Sequence, residues 1–207
     1  MSYKFFIIFI ALVCIIGGII FFFGNDFIDN AEPENTAENI PAIAGTADES
    51  EIDGEIIAYS ARDGWLSYTD PVYPFSFQFP AEFHPTVYAD ELGDIIIFES
   101  RDENSRRNSF QIFVTGFEED VAVISPERIR KDLPNMNIID PQETILGDGS
   151  RALIFFSEDS IVGKTREIWI IHNMLLYQIT ARAEADALLA DIMKTWKFLQ
   201  ENLESRT

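Results

Sequence analysis

Residues Phe5–Phe23 read FFIIFIALVCIIGGIIFFF, nineteen residues without a charge, a proline or an amide. At ~1.5 Å per residue a helix of this run is about 28 Å long, which matches the ~30 Å hydrocarbon core of a bilayer. A helix is the single-segment structure that satisfies its own backbone groups there. The sequence therefore predicts one membrane-spanning helix over 5–23, and the rest of the chain has to be explained as something held at a membrane. A cleaved signal peptide has a shorter apolar core and a small-x-small site, whereas Phe21, Phe22 and Phe23 close this run. Cys14 lies inside the run behind Ala11-Leu12-Val13, which is not the small residue that a lipid-attachment site wants. The expectation is an uncleaved signal anchor.

Lys4 precedes the run, Asp26 and Asp29 follow it, and no further Lys or Arg occurs before Arg62. The positive-inside rule then makes residues 1–4 a cytoplasmic tip and places the C-terminal part outside the cytoplasm. Gly17 and Gly18 lack the four-residue spacing of a small-xxx-small dimer face.

Residues 24–57 are acidic and poor in large apolar side chains, and they carry no periodicity; the expectation is a disordered tether. A flexible chain of ~34 residues has a root-mean-square reach of roughly 30 Å. Within it, Glu49, Glu51, Asp53 and Gly54 resemble the first half of a calcium loop. The twelfth position is Ser60, where a bidentate Glu is needed, so an acidic tether is the better reading.

The chain has a net charge of −20, with 35 acidic against 15 basic residues. Such a chain repels phosphate backbones, which argues against nucleic acid as a partner. The single cysteine, Cys14, is in the predicted span, so residues 58–207 hold none and no disulfide can support them.

Residues 58–207 are long enough for one domain with its own core. Trp65–Tyr68 reads as a short strand. In Tyr73–Pro80, Phe75, Phe77 and Phe79 alternate with small or polar partners, the period-two mark of a half-buried strand. Further strands are expected at Asp94–Ser100, Phe110–Phe117, Ile138–Leu146 (interrupted at Pro141), Arg151–Phe156, Arg166–Ile171 and Leu175–Ala181. Asp148-Gly149 suggests a two-residue hairpin turn, and a second turn is expected near His172-Asn173-Met174. Ser125-Pro126 opens a helix that ends near Leu133, before Pro134. A last helix is expected from Glu184 to Leu199, with Leu188, Leu189, Ile192, Met193, Trp196 and Leu199 on one apolar stripe. The fold class is α+β: an antiparallel sheet of six to eight strands covered by helices.

Three stretches carry a family resemblance over about residues 65–199. Tyr-Pro-Phe-Ser-Phe-Gln-Phe-Pro at 73–80 resembles the opening strand of PsbP-like domains, with Pro74 where that family usually has glycine and Phe79 where it often has tyrosine. Leu175–Thr180 is similar to the family's late strand, and Ile192–Phe198 to its closing helix. The family includes an extrinsic subunit of the photosynthetic oxygen-evolving complex, a Ran-binding import factor and bacterial membrane-tethered domains. The resemblance implies a binding or assembly module rather than an enzyme, and it transfers no catalytic residue.

The chemistry-bearing residues point the same way. His84 is expected in a loop and His172 at a turn, neither with a second ligand at metal spacing. Ser160 and Lys164 do not have SxxK spacing, and Gly147–Ser150 lacks the lysine of a phosphate loop. Glu118-Glu119-Asp120 and Asp90, Glu91, Asp94 read as solvated turns. Arg106, Arg107, Arg128, Arg130 and Lys131 are either a surface for an acidic partner or local neutralisation of the acid excess. The expected function is a non-catalytic accessory module outside the membrane that binds a protein partner, with no cofactor, metal or catalytic residue. The alternative is a small-ligand or metal-ion binding domain, since a curved sheet under a helix can enclose a pocket. An enzyme built on scattered carboxylates is a third reading.

Overall fold

The computed structural model describes residues 62–90, 92–100 and 108–199. The predicted span, the tether with its calcium-like acids, Glu91, and Arg106 and Arg107 lie outside the described residues. Among the described residues no helix is long and apolar enough to cross a membrane.

Ten strands, β1 Trp65–Thr69, β2 Phe75–Pro80, β3 Phe83–Asp90, β4 Gly93–Ser100, β5 Phe110–Gly116, β6 Ile139–Ile145, β7 Arg151–Asp159, β8 Gly163–His172, β9 Leu175–Arg182 and β10 Lys197–Phe198, form two sheets. Seven make an antiparallel sheet in the order β3-β4-β5-β9-β8-β7-β6, within the expected six to eight. The single-sheet expectation is corrected: β1, β2 and β10 form a separate three-stranded sheet. Among the described residues two α-helices, α1 Pro126–Asp132 and α2 Asp186–Met193, complete the α+β fold.

The alternation in the strands explains the layers. Ile96 and Phe98 on β4, Ile112 and Val114 on β5, Tyr177 and Ile179 on β9, and Ile168 and Ile170 on β8 share one face of the large sheet. They bury against the phenylalanines of β2 and against Leu189, Ile192 and Met193 of α2. The intervening residues Leu153, Phe155, Trp169 and Leu176 pack on the other face with Ile129 of α1. Both faces of β7 and β8 are thus apolar, which is why those strands read as runs rather than alternations.

Ser125 caps α1, its Oγ accepting from the N–H of Arg128 at 3.2 Å, with Pro126 at the first helical position. The expected last helix stops six residues early. Thr195 donates to the carbonyl of Ile192 at 2.7 Å and accepts from the N–H of Gln78 at 2.8 Å, turning the chain onto β2. Lys197 and Phe198 then pair with Ser76 and Phe75. Trp196 therefore lies past the helix, yet it is buried in the core as the stripe predicts.

Strand β3 was not expected. Pro85 argues against an interior strand, but β3 is an edge of the large sheet, where a missing N–H costs no ladder bond. At the opposite edge, β6 carries a register irregularity between Ile139 and Gln142, with Asp140 at φ 49° and Pro141 beside it.

The two late hairpins exchange turn types relative to expectation. Around Asp148, Gly149 alone adopts a positive φ (88°), and the N–H of Leu146 bonds the carbonyl of Ser150 at 2.8 Å. This is a three-residue loop, not a two-residue one. The two-residue turn with both φ angles positive falls at Asn173 (49°) and Met174 (60°), between paired His172 and Leu175. Met174 is exposed and pays left-handed strain that glycine avoids. Met174→Gly is expected to raise stability by about 0.5–1 kcal/mol, read as an increased calorimetric melting temperature.

Candidate functional site

The strand register places the loops in two sets. Chain entry at Arg62, the turn between β2 and β3, and the turn between β7 and β8 lie at one end; Ala81 donates to the carbonyl of Gly64 at 2.9 Å there. The β1–β2 loop, the end of β5 and the turns after β6 and β8 lie at the other. At that second end Tyr73 donates to Asp94 at 2.7 Å, Leu199 donates to the carbonyl of Pro74, Phe117 donates to the carbonyl of Met174, and Phe198 stacks on His172 at 3.8 Å. Val72 (65% exposed) and Met174 (67%) project from these loops.

Asp70 organises the β1–β2 loop. Its Oδ1 accepts the N–H groups of Val72 and Tyr73 at 2.9 and 2.8 Å, and its Oδ2 accepts the hydroxyl of Tyr68 at 2.8 Å. Burial, then the charge of Asp70, pushes the Tyr68 hydroxyl well above the usual phenol range. Asp148 does the same for the β6–β7 turn: it accepts the N–H and hydroxyl of Ser150, and the N–H of Phe198 at 2.8 Å. Burial opposes its ionisation, but these donors outweigh that and hold its carboxyl below the usual range. Gly147–Ser150 is therefore a structural turn, as expected.

The other sequence candidates are dispersed. His84 lies in β3 rather than in a loop, paired with Glu99 in register, and at the opposite end of the sheet from His172. Burial lowers the His172 imidazole below its ordinary value, against the pull of Asp148. Arg128 pairs with Glu119 at 2.5 Å and with Asp132, and Arg130 with Glu127 at 3.7 Å, so this part of the basic spot neutralises local acids. Among the described residues no group of three His, Cys, Asp or Glu side chains could hold a metal ion.

Two features were missed in the sequence. The first is Glu167, a buried carboxyl on the α1 side of the sheet. It accepts from the hydroxyls of Thr165 and Thr180 at 2.7 Å each and from the indole N–H of Trp169 at 3.4 Å. Burial raises it to about 7 despite these donors. Its folded value exceeds the unfolded one, so the folded state is fully stable below about pH 4.5 and loses stability as pH rises through 7. Glu167→Gln removes that loss. It is expected to be more stable than the parent by about 3 kcal/mol at pH 8 and to match it near pH 4, read by calorimetric melting at both. The signal in the sequence was a lone acid at the head of the apolar run Ile168–Ile171.

The second is an open groove of about 450 Å³ between α2 and the β6–β7 edge of the large sheet. Ile154 and Ile168 form its floor, and Ala190 and Met193 its helical wall. Gly147 closes one end: a Cβ there would lie 2.6 Å from the carbonyl oxygen of Lys194. Arg166 closes the other, bonded through Nε and Nη2 to Asp186 at 2.6 and 3.1 Å and lying over the Phe156 ring at 3.6 Å.

Fold and surface together define a sheet-rich α+β domain with a groove and a set of apolar loop tips. No family model and no curated protein matches the chain. Among solved structures it is similar to the cyanobacterial PsbP, CyanoP, of Synechocystis sp. PCC 6803, with 10% identity and a TM-score of 0.46 over 65% of this chain and 92% of that one. It is also similar to a protein of Bacteroides thetaiotaomicron VPI-5482, with 10% identity and a TM-score of 0.35 over 62% of this chain and 46% of that one. The first of these likenesses falls to the family that the motifs at 73–80, 175–180 and 192–198 resemble.

Proposed function

We propose that this chain is a membrane-anchored, non-catalytic accessory module that presents its α+β domain outside the membrane to a protein partner. The observation that carries the reading is the polarity of the domain. The chain arrives at Arg62 at one end of the sheet, where Ile161 is 49% exposed, and the more exposed apolar side chains Val72 and Met174, at 65% and 67%, sit on loops at the other. A module tethered at one end and apolar at its far tips is built to reach outward. The run Phe5–Phe23 supplies the anchor and residues 24–57 the reach. The net charge of −20 argues against nucleic acid as the partner.

The test is cross-linking of the tagged full-length protein in its native membranes, with residues 1–57 alone as control. A stoichiometric partner that requires residues 58–207, and that is lost in Val72→Asp/Met174→Asp protein with an unchanged melting temperature, is the expected result. Retention of the partner by that double variant sinks the loop-tip reading.

The groove favours a second reading, a small-ligand domain. About 450 Å³ lies within the ~300–1,000 Å³ range of ligand pockets. This reading predicts a melting-temperature rise with one ligand class; flat melting across a broad set ends it.

A further inference from the structure

We infer that the groove between α2 and the β6–β7 edge binds a small organic carboxylate with an apolar body, its carboxylate on Arg166 and its body on Ile154, Ile168 and Met193. The inference deepens the small-ligand reading and rests on it.

Three observations carry it. The first is charge. The titratable lining of the groove is Arg166, Lys194 and Asp186, two cations and one anion, on a chain of net charge −20. Lys194 is paired with Asp191 just outside the lining, so the groove is close to neutral, and its one cationic edge is that of Arg166, where an anion would seat. The second is preorganisation. Asp186 holds Nε and Nη2 of Arg166, and the guanidinium lies over Phe156 at 3.6 Å, which fixes its plane. The Nη1 edge is left outside that pair, and a planar fork held in place loses little entropy on accepting a carboxylate. The third is the division of the lining. Behind the Arg166 end the floor and wall are Ile154, Ile168, Ala190 and Met193, with no charge until Lys194, which is itself paired with Asp191 at 2.7 Å. One polar end and an apolar body match a monocarboxylate and not a sugar, a nucleotide or a bare inorganic anion.

The experiment uses the full-length protein in lipid nanodiscs with labelled Ile and Met methyl groups. Hexanoate, hexan-1-ol and hexylammonium are titrated separately. Hexanoate is expected to shift the Ile154, Ile168 and Met193 resonances saturably, about tenfold more tightly than hexan-1-ol. Arg166→Gln should bring the two ligands level. Ala190→Phe, which fills the exposed helical wall without removing a hydrogen bond, should abolish both. Equal binding of hexanoate and hexan-1-ol, tighter binding of hexylammonium, or hexanoate binding unaffected by Ala190→Phe each overturns the inference. In the first two cases the groove remains a ligand site of another class. If none of the three probes moves those methyl groups, while another compound raises the melting temperature, the inference fails and the ligand reading stands elsewhere. If nothing does either, both fall.

Discussion

Trp196→Ala is expected to destabilise the domain by about 4 kcal/mol, a large share of the ~5–15 kcal/mol that holds a domain folded. Trp196 is 1% exposed, and its ring stacks on Phe75 at 4.7 Å and on Phe77 at 5.5 Å, with Tyr177 and Phe198 edge-on at 6.2 and 5.8 Å. It ties the small sheet to the face of the large one, so truncation opens a cavity where two layers meet. Trp196→Phe separates volume from polarity. The indole N–H is buried without an acceptor among the described residues. Phenylalanine loses packing but relieves an unsatisfied donor worth ~1–3 kcal/mol, so its net cost should be about 1 kcal/mol. Calorimetric melting of the full-length variants checks both. Similar melting temperatures for the Ala and Phe variants would show that the aromatic stack does not join the layers.

Gly93→Ala should be equally severe, by a different route. Gly93 opens β4 at φ 155°, and a Cβ built there meets the carbonyl oxygen of Val114 at 2.2 Å and Cε2 of Phe113 at 2.9 Å. The first contact is backbone and cannot swing aside. Relief requires β4 and β5 to part at Asp94–Val114, which also disturbs the carboxylate that accepts from Tyr73. A loss of about 4 kcal/mol or more is expected, combining overpacking with backbone strain. Gly149→Ala is the control. Gly149 also has a positive φ, but nothing lies within 4 Å of its Cβ position, so the cost should be only about 1 kcal/mol. Equal losses at the two positions would show that strain, not collision, sets the penalty.

Much of the sheet was legible because period-two patterns are local. Phe75, Phe77 and Phe79 declare a buried face without any knowledge of what covers it. What could not be read was partnership. Nothing in residues 73–80 says that they pair with Trp65–Thr69 and with Lys197–Phe198 instead of joining the large sheet. Leu188 through Leu199 has helical spacing throughout, and pairing with β2 overrides it beyond Met193. Pro85 hid β3, since only topology reveals that the strand is an edge. The candidate sites divide in the same way. The glycine turn and the Glu118–Asp120 loop were recognisable from composition, whereas Asp90 and Asp94, expected in a solvated turn, lie in β3 and β4, with Asp94 accepting from Tyr73. The groove was not, because it joins Ile154 and Arg166 to Ala190 and Met193 across layers with no common periodicity. Glu167 was passed over as one acid among many, since its burial depends on the covering of both faces of β8.

The margins of the large sheet carry a consequence for behaviour at high local concentration. Pro85 on β3 and the Asp140-Pro141 irregularity on β6 each interrupt the row of outward donors and acceptors that a foreign strand would need. In copies of this domain crowded together, the large sheets are therefore poor templates for one another. Strand-by-strand extension of the large sheet is interrupted at both of its edges, which leaves β1 of the small sheet as the regular edge strand.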